Sequence, residues 1–199
     1  GNTKASVEKI LFDIAGCNGT NEIRLDSRNG WKIARLRYFN PVGAHTSGEI
    51  GESPEGIPNN LFPYISEVAV GKRDFLRIFG DNWPTEDGSG VRDFIHIMDL
   101  VDGHCVALEY LLNAEPQLLT LNLGTGKGTS VFQVLRTYEE IIKKKIPYKI
   151  SAKREGDSAI AIADVKMAKH YLNWEAKRNL KEMCYDSWKW QSRNLNGYI

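Results

Sequence analysis

The sequence predicts an α/β protein, and three observations carry that prediction. Four short apolar runs, KIARLRYF (32–39), FLRIFG (75–80), LLTLNLG (118–124) and YKISAK (148–153), have the length of strands and are bounded by turn residues. Stretches with helical apolar spacing alternate with them, as in layered α/β domains. The 199 residues are 42% hydrophobic and 26% charged, which is enough for one domain or two small ones.

Lys4, Glu8 and Lys9 alternate with Val7, Ile10 and Leu11, predicting a helix over 3–16 that ends near Gly16. Residues 17–30 are polar and rich in Gly and Asn, and predict a loop. The strand 32–39 is expected to close at Pro41, with irregular chain from there to Pro58. NNLFPYISEVAVGK predicts a helix from Asn59 or Asn60, both good capping types. After the 75–80 strand, DNWPTEDGSG (81–90) is a turn-rich loop. VRDFIHIMDL alternates and then changes period, and Asp99 with Asp102 is expected to cap a helix reaching about residue 112. The 118–124 strand enters a Gly-rich turn, GTGKGTS, and then a helix, VFQVLRTYEEIIKK, that Ile146-Pro147 ends. After the 148–153 strand come a loop (REGDSAIAIAD), a helix (VKMAKHYL) closed near Asn173, and a final helix over LKEMCYDSWKWQSRN.

Composition excludes several classes. The net charge is +1, from 26 basic and 25 acidic residues, so neither nucleic acid nor an anionic membrane surface is implied as a partner. The KKK run (143–145) reads as the solvated end of a helix. The three cysteines, Cys17, Cys105 and Cys184, form no CxxC pair and read as free thiols in a reducing compartment. The four histidines make no HxxxH pair, so no metal site is expected. No apolar run approaches a membrane span and no signal peptide is visible.

GTGKGTS (124–130) follows a strand and opens a helix, which invites a dinucleotide-binding reading. The third Gly stands one residue too early for G-x-G-x-x-G, and Lys127 does not complete a phosphate-loop pattern. A tight strand-to-helix turn is the expectation.

The specific signal lies in four segments: LRYFNPVGAH (36–45), GIPNNLFPYI (56–65), RIFGDNWPTEDGSGVRDFIHIMDL (77–100) and KREGD (153–157). Together, in this order, they resemble the UDP-galactose 4-epimerases, members of the extended short-chain dehydrogenase/reductase superfamily. The resemblance runs from Gly1 to about Tyr198. It implies the end of a Rossmann-type NAD-binding domain over 1–40 and a UDP-sugar-binding α/β lobe over 41–199, with 91–125 returning to the Rossmann sheet. It also implies NAD as cofactor, a UDP-hexose as substrate, a homodimer and a cytoplasmic location.

The resemblance further implies site roles. Lys4 matches the Lys of a Tyr-x-x-x-Lys pair whose Tyr would stand directly before Gly1. The 199 residues are therefore expected to be the C-terminal portion of an epimerase and inactive alone. An ammonium beside a phenol favours the phenolate that a base needs, since a free tyrosine has a pKa near ~10. Tyr38 and Phe39 match residues flanking the nicotinamide, and Asn40 one close to the hexose. Asn60 and Leu61 match the start of a substrate-facing helix; Asn60 would also cap it. Arg77, Ile78 and Phe79 match the strand that reads uracil, Arg92 and Arg154 the diphosphate arginines, and Asp157 the carboxylate on the uridine ribose, with Glu155 beside it. Ala161 stands where some relatives carry a bulky tyrosine, and its small size implies acceptance of N-acetylated sugars. Two other readings stay open: a related sugar-nucleotide dehydratase or decarboxylase, and a UDP-binding module without catalysis.

Overall fold

The computed structural model describes residues 1–18 and 23–198. In chain order its elements are α1 (Asn2–Ala15), β1 (Arg24–Asp26), β2 (Lys32–Tyr38), β3 (Asn40–Val42), α2 (Leu61–Ala69), β4 (Leu76–Phe79), β5 (Val91–Arg92), β6 (Phe94–His96), α3 (Ile97–Asn113), β7 (Gln117–Leu123), β8 (Thr129–Ser130), α4 (Val131–Ile142), β9 (Tyr148–Ser151), β10 (Ile160–Ala161), α5 (Lys166–Leu172) and α6 (Leu180–Arg193). The class is α/β, as predicted.

The main sheet has the order β1-β7-β2. β2 runs parallel to β7 in unbroken register from Lys32↔Gln117 to Tyr38↔Leu123, and β1 is antiparallel to β7. β7 is buried on both faces. Leu118 packs with Ala15 and Phe12 of α1, while Leu119, Leu121 and Leu123 pack with α3 and α5. That two-sided burial explains its apolar run. A second core joins α2, α4 and α6 over the parallel β4–β9 pair, and in it the buried Tyr138 hydroxyl bonds Ser66 across 2.7 Å. Two small sheets, β3–β6 and β10-β5-β8, tie the two cores together.

Several expectations need correction. The 17–30 loop contains β1, whose three residues bury only Leu25, too few to show an alternation in sequence; residues 19–22 of that loop lie outside the described residues. Pro41 does not end the strand region. It sits inside β3, where the two-stranded pairing with β6 tolerates a missing donor. Asn60 occupies the N-cap of α2 with extended backbone but makes no side-chain cap bond. The third helical residue is Pro63, which has no N–H for a cap to accept. α3 is capped by His96, whose Nδ1 accepts from Met98 N–H, and not by Asp99 or Asp102. Asp99 is instead buried, accepting from the Lys177 and Arg178 amides and from the Arg178 guanidinium at 2.5 Å. REGDSAIAIAD is not all loop, because Ile160–Ala161 forms β10 against β5. α4 ends at Ile142 with Lys143 at φ 55°, before the Ile146-Pro147 pair.

Candidate active site

The first group of predicted residues gathers at the C-terminal ends of β2 and β7, where open α/β sheets bind ligands. α1 runs antiparallel to β2. Phe12 packs beside Ile33, and Glu8 pairs with Arg35 at 3.8 Å and Arg37 at 2.6 Å. The Arg37 hydrogen bonds hold the Glu8 carboxyl below its usual range against the opposing pull of burial. One more helical turn is about 6 Å, or roughly two strand residues, which brings Lys4 level with Tyr38 and Phe39. Lys4 is exposed there.

Tyr38 faces α3, on the other side of the sheet from α1. Its hydroxyl lies 2.7 Å from His104 Nε2, and His104 Nδ1 lies 2.8 Å from the Leu100 carbonyl. A carbonyl only accepts, so Nδ1 carries the proton and Nε2 accepts from the phenol. Phe39 N–H donates to Leu123 O, and Asn40 N–H donates to Asp93 O at 3.0 Å.

The second group forms one cluster. Arg92 and Ala161 are register partners in the β5–β10 pair. Asp157 accepts from Arg154 Nε at 3.0 Å and lies 3.9 Å from an Arg92 nitrogen. The Arg154 guanidinium stacks 4.6 Å over the Phe79 ring. Phe79 is half-buried at the end of β4, Ile78 beside it is buried in the core, and Arg77 is exposed. Glu155 is exposed. Phe79, Arg92, Arg154, Asp157 and Ala161 are thus brought together as a cationic, aromatic and acidic set.

Among the described residues, Asn60 and Leu61 form no side-chain hydrogen bond or ion pair with a residue of either group. Leu61 packs against the α2–α4–α6 core, and the Asn60 amide donates to Glu52 at 3.3 Å. Glu52 is held in turn by α6, since Trp190 Nε1 donates to its carbonyl at 3.1 Å. Tyr198 hydroxyl closes the same loop on both polar backbone atoms of Gly51, each at 2.9 Å.

The Gly-rich turn is a structural turn, as expected, and its amides are taken by an internal anion. The fully buried Asp93 accepts from Thr125 N (2.8 Å), Thr125 Oγ1 (2.6 Å), Gly126 N (2.9 Å) and Ala163 N (3.2 Å). The α4 N-terminus beyond it is closed by the Ser130–Gln133 capping box, and Ser130 Oγ reaches Asp87 at 2.5 Å. Burial raises the Asp87 carboxyl, but hydrogen bonds from Ser130 and Ser89 and the charge of Arg136 outweigh it and hold the group low. Sequence reading passed over Asp93, His104, Glu52 and the loop contacts of Trp190. The signal for Asp93 was present: it is a charged residue flanked by the apolar run FIHIM.

Two cavities of about 550 and 570 Å³ lie elsewhere, one against Lys127, Gln133 and Lys177, the other against Phe132, Lys145 and Tyr148. Neither is lined by a residue of the two groups. Among the described residues no helix is long and apolar enough to cross a membrane.

A sheet in which β2 and β7 run parallel, and a lobe carrying an arginine–aromatic–carboxylate cluster, accord with an extended short-chain dehydrogenase/reductase. The chain matches the family model described as GDP-mannose 4,6 dehydratase over residues 23–187, and it belongs to that family. It is 50% identical to the UDP-glucose 4-epimerase of Bacillus subtilis over 198 residues, covering 100% of this chain and 55% of that protein. The UDP-glucose 4-epimerase of Stenotrophomonas maltophila, solved with bound NAD and formylated UDP-arabinopyranose, superposes with a TM-score of 0.86 at 44% identity, over 96% of this chain and 54% of that one. The Bifidobacterium longum enzyme, solved with NAD+ and UDP, gives a TM-score of 0.86 at 42% identity, over 96% of this chain and 53% of its own. The chain therefore spans about half the length of the relatives it matches.

Proposed function

We propose that the full-length protein is an NAD-dependent 4-epimerase that interconverts UDP-galactose and UDP-glucose. The observation that carries this reading is the Phe79–Arg154–Asp157–Arg92 cluster, whose parts match a base, a ribose and a diphosphate in chemistry. Arginines suit phosphates because their fork of donors meets two oxygens at once. Similarity to epimerases across the whole chain supports it.

In this reading NAD, when bound, supplies the acceptor and donor of the hydride at C4 of the hexose. The C-terminal edge of the parallel β2–β7 pair, with Lys4 on the α1 side and Tyr38 on the α3 side, fits it. Lys4 favours the ionised form of the base that takes the O4 proton and holds the cofactor ribose. Tyr38 and Phe39 wall the nicotinamide. Arg77, Ile78 and Phe79 receive uracil along β4, with Asp157 on the ribose and Glu155 beside it. Arg92 and Arg154 neutralise the diphosphate. Asn40, Asn60 and Leu61 face the sugar without fixing it, so that a 4-keto sugar can turn and present its other face. The small Ala161 leaves room for an acetamido group, and UDP-GalNAc and UDP-GlcNAc are then substrates too.

The division into a Rossmann part (1–40, with 91–125 returning) and a sugar-nucleotide lobe (41–199) is supported by the β2–β7 pairing. A homodimer in the cytoplasm completes the reading. It accords with three cysteines that stay free, Cys17 and Cys184 in the interior and Cys105 on the surface. The test is conversion of UDP-galactose to UDP-glucose by the full-length protein, with and without added NAD. No turnover, with UDP still bound, favours a binding module. Release of water or carbon dioxide from a UDP-sugar favours a dehydratase or decarboxylase.

A further inference from the structure

We propose that Asp93 is a positioning residue that sets the width of the hexose pocket, and with it the discrimination between UDP-sugars bearing a hydroxyl and an acetamido group at C2. The inference rests on the epimerase reading above and deepens it.

Asp93 is fully buried, and a buried carboxylate is costly unless its lone pairs are met. Here both oxygens are doubly engaged, Oδ1 by the amide and hydroxyl of Thr125 and Oδ2 by the amides of Gly126 and Ala163. Four donors from two separate loops fix the side chain and those loops to one another.

The main chain of the same residue does the rest. Asp93 O accepts from Asn40 N–H, and Asp93 N–H donates to Ala161 O, each at 3.0 Å. Asn40 and Ala161 are both assigned to the hexose, Asn40 close to the sugar and Ala161 where an acetamido group would need room. Asp93 bonds to both. The segment leaving β10 is held twice by it, at Ala161 O through the backbone and at Ala163 N through the carboxylate. Arg92, the neighbouring residue and Ala161's register partner, shares the constraint.

The Gly-rich turn presses on this joint from behind. A Cβ added at Gly124 would stand 2.6 Å from Ala163 Cβ and 2.7 Å from Asp93 Oδ2. Both neighbours are held in place, so the clash would be relieved by moving the 161–163 segment. This gives GTGKGTS a purpose that needs no bound phosphate: it is the buttress that sets where Ala161 stands.

The experiment uses the full-length protein and three variants, Asp93→Asn, Gly124→Ala and Thr125→Val. Asparagine keeps the volume but turns one acceptor oxygen into a donor facing amide N–H groups. Gly124→Ala moves the same segment from the other side, and Thr125→Val removes one bond only, so they decide the matter if Asp93→Asn does not fold. Calorimetry gives the dissociation constants of UDP-galactose and UDP-N-acetylgalactosamine, and melting gives stability. The ratio of the two constants is expected to shift by about fivefold in Asp93→Asn and Gly124→Ala, the effect of one misplaced polar contact, and less in Thr125→Val. A purely structural role lowers the melting temperature and leaves the ratio alone. A ratio within about twofold of wild type in every folded variant overturns the proposal, since that is below a single weak contact. Wild-type protein that binds both sugars but converts neither would sink the epimerase reading instead.

Discussion

Removing Arg154 should tighten uridine and shrink the advantage that UDP has over it. Arg154 covers the Phe79 ring at 4.6 Å and holds Asp157 at 3.0 Å, the groups assigned to uracil and ribose. A nucleoside must displace both contacts. An exposed cation–π contact contributes about 0.5–1 kcal/mol, and an exposed ion pair about 0.2–1 kcal/mol. Arg154 is half exposed, so the displacement costs about 0.7–2 kcal/mol at most. Uridine cannot repay it, having no phosphate. Arg154→Ala should therefore tighten uridine by up to about three- to thirtyfold. UDP loses a charge-assisted bond of about 1.5–3 kcal/mol, so its advantage over uridine falls by roughly ten- to hundredfold. Calorimetric titration of the full-length protein with uridine and with UDP reads both. Weaker uridine binding in the variant refutes the argument, because it means that Arg154 supports the base site instead of covering it. Unchanged uridine binding with weaker UDP leaves only the phosphate role.

Lys4→Met in the full-length protein should lower kcat by about 10²–10⁴-fold and move the acid limb of the pH–rate profile upward, as expected when a base loses the cation that favours its ionised form. Ala161→Tyr should weaken UDP-N-acetylgalactosamine by about five- to hundredfold while sparing UDP-galactose, in a competition assay, since overpacking a filled pocket costs about 1–3 kcal/mol. Gly51→Ala places a Cβ 2.2 Å from Trp190 Cγ, an atom held by the indole anchor on Glu52, and should cost about 1–3 kcal/mol in a melting experiment. Burial pushes the His96 imidazole below its ordinary 6.5, with Asp186 opposing and with Arg178 and Asp99 the other charges acting on it. Below pH 6.5 the unfolded chain takes a proton on this histidine that the folded chain resists. Stability from this group is therefore full above that pH and lost as pH falls, by at most about 1.4 kcal/mol per unit. Denaturant unfolding between pH 5.5 and 7.5 should show that slope, and His96→Gln should flatten it.

The elements legible in the sequence were those whose burial imprints a long pattern. β2, β7, α4 and α6 show it, and Gly16 and Asn173 end α1 and α5 in the left-handed region as their residue types suggest. The elements missed were two or three residues long. β1, β3, β8 and β10 are set by partners far away in sequence, and nothing local distinguishes them from loop. The capping errors have the same root. Asn60 has the right type and backbone, but Pro63 removes the amide and Glu52 takes the side chain. Asp99 has the right type as well, but Arg178, 79 residues on, claims it. Motif resemblance reached further at the site than local pattern did. It named Phe79, Arg92, Arg154 and Asp157, which the fold then brings within contact distance. It left out Asp93, whose work is done through other residues.

The two halves of the site are built differently, and the difference suits the reaction proposed for it. The cluster proposed for the nucleotide consists of partly exposed side chains that pair with one another. Such contacts can be exchanged for stronger ones to phosphate and ribose, which favours firm holding of UDP. The side proposed for the hexose is framed by backbone bonds through the fully buried Asp93, and the reading assigns few side chains to the sugar itself. A rigid frame with few directional contacts restricts where the sugar can go without dictating which face it presents. An epimerase needs that combination, since a hexose gripped by specific hydrogen bonds would present the same face twice and return the sugar it began with.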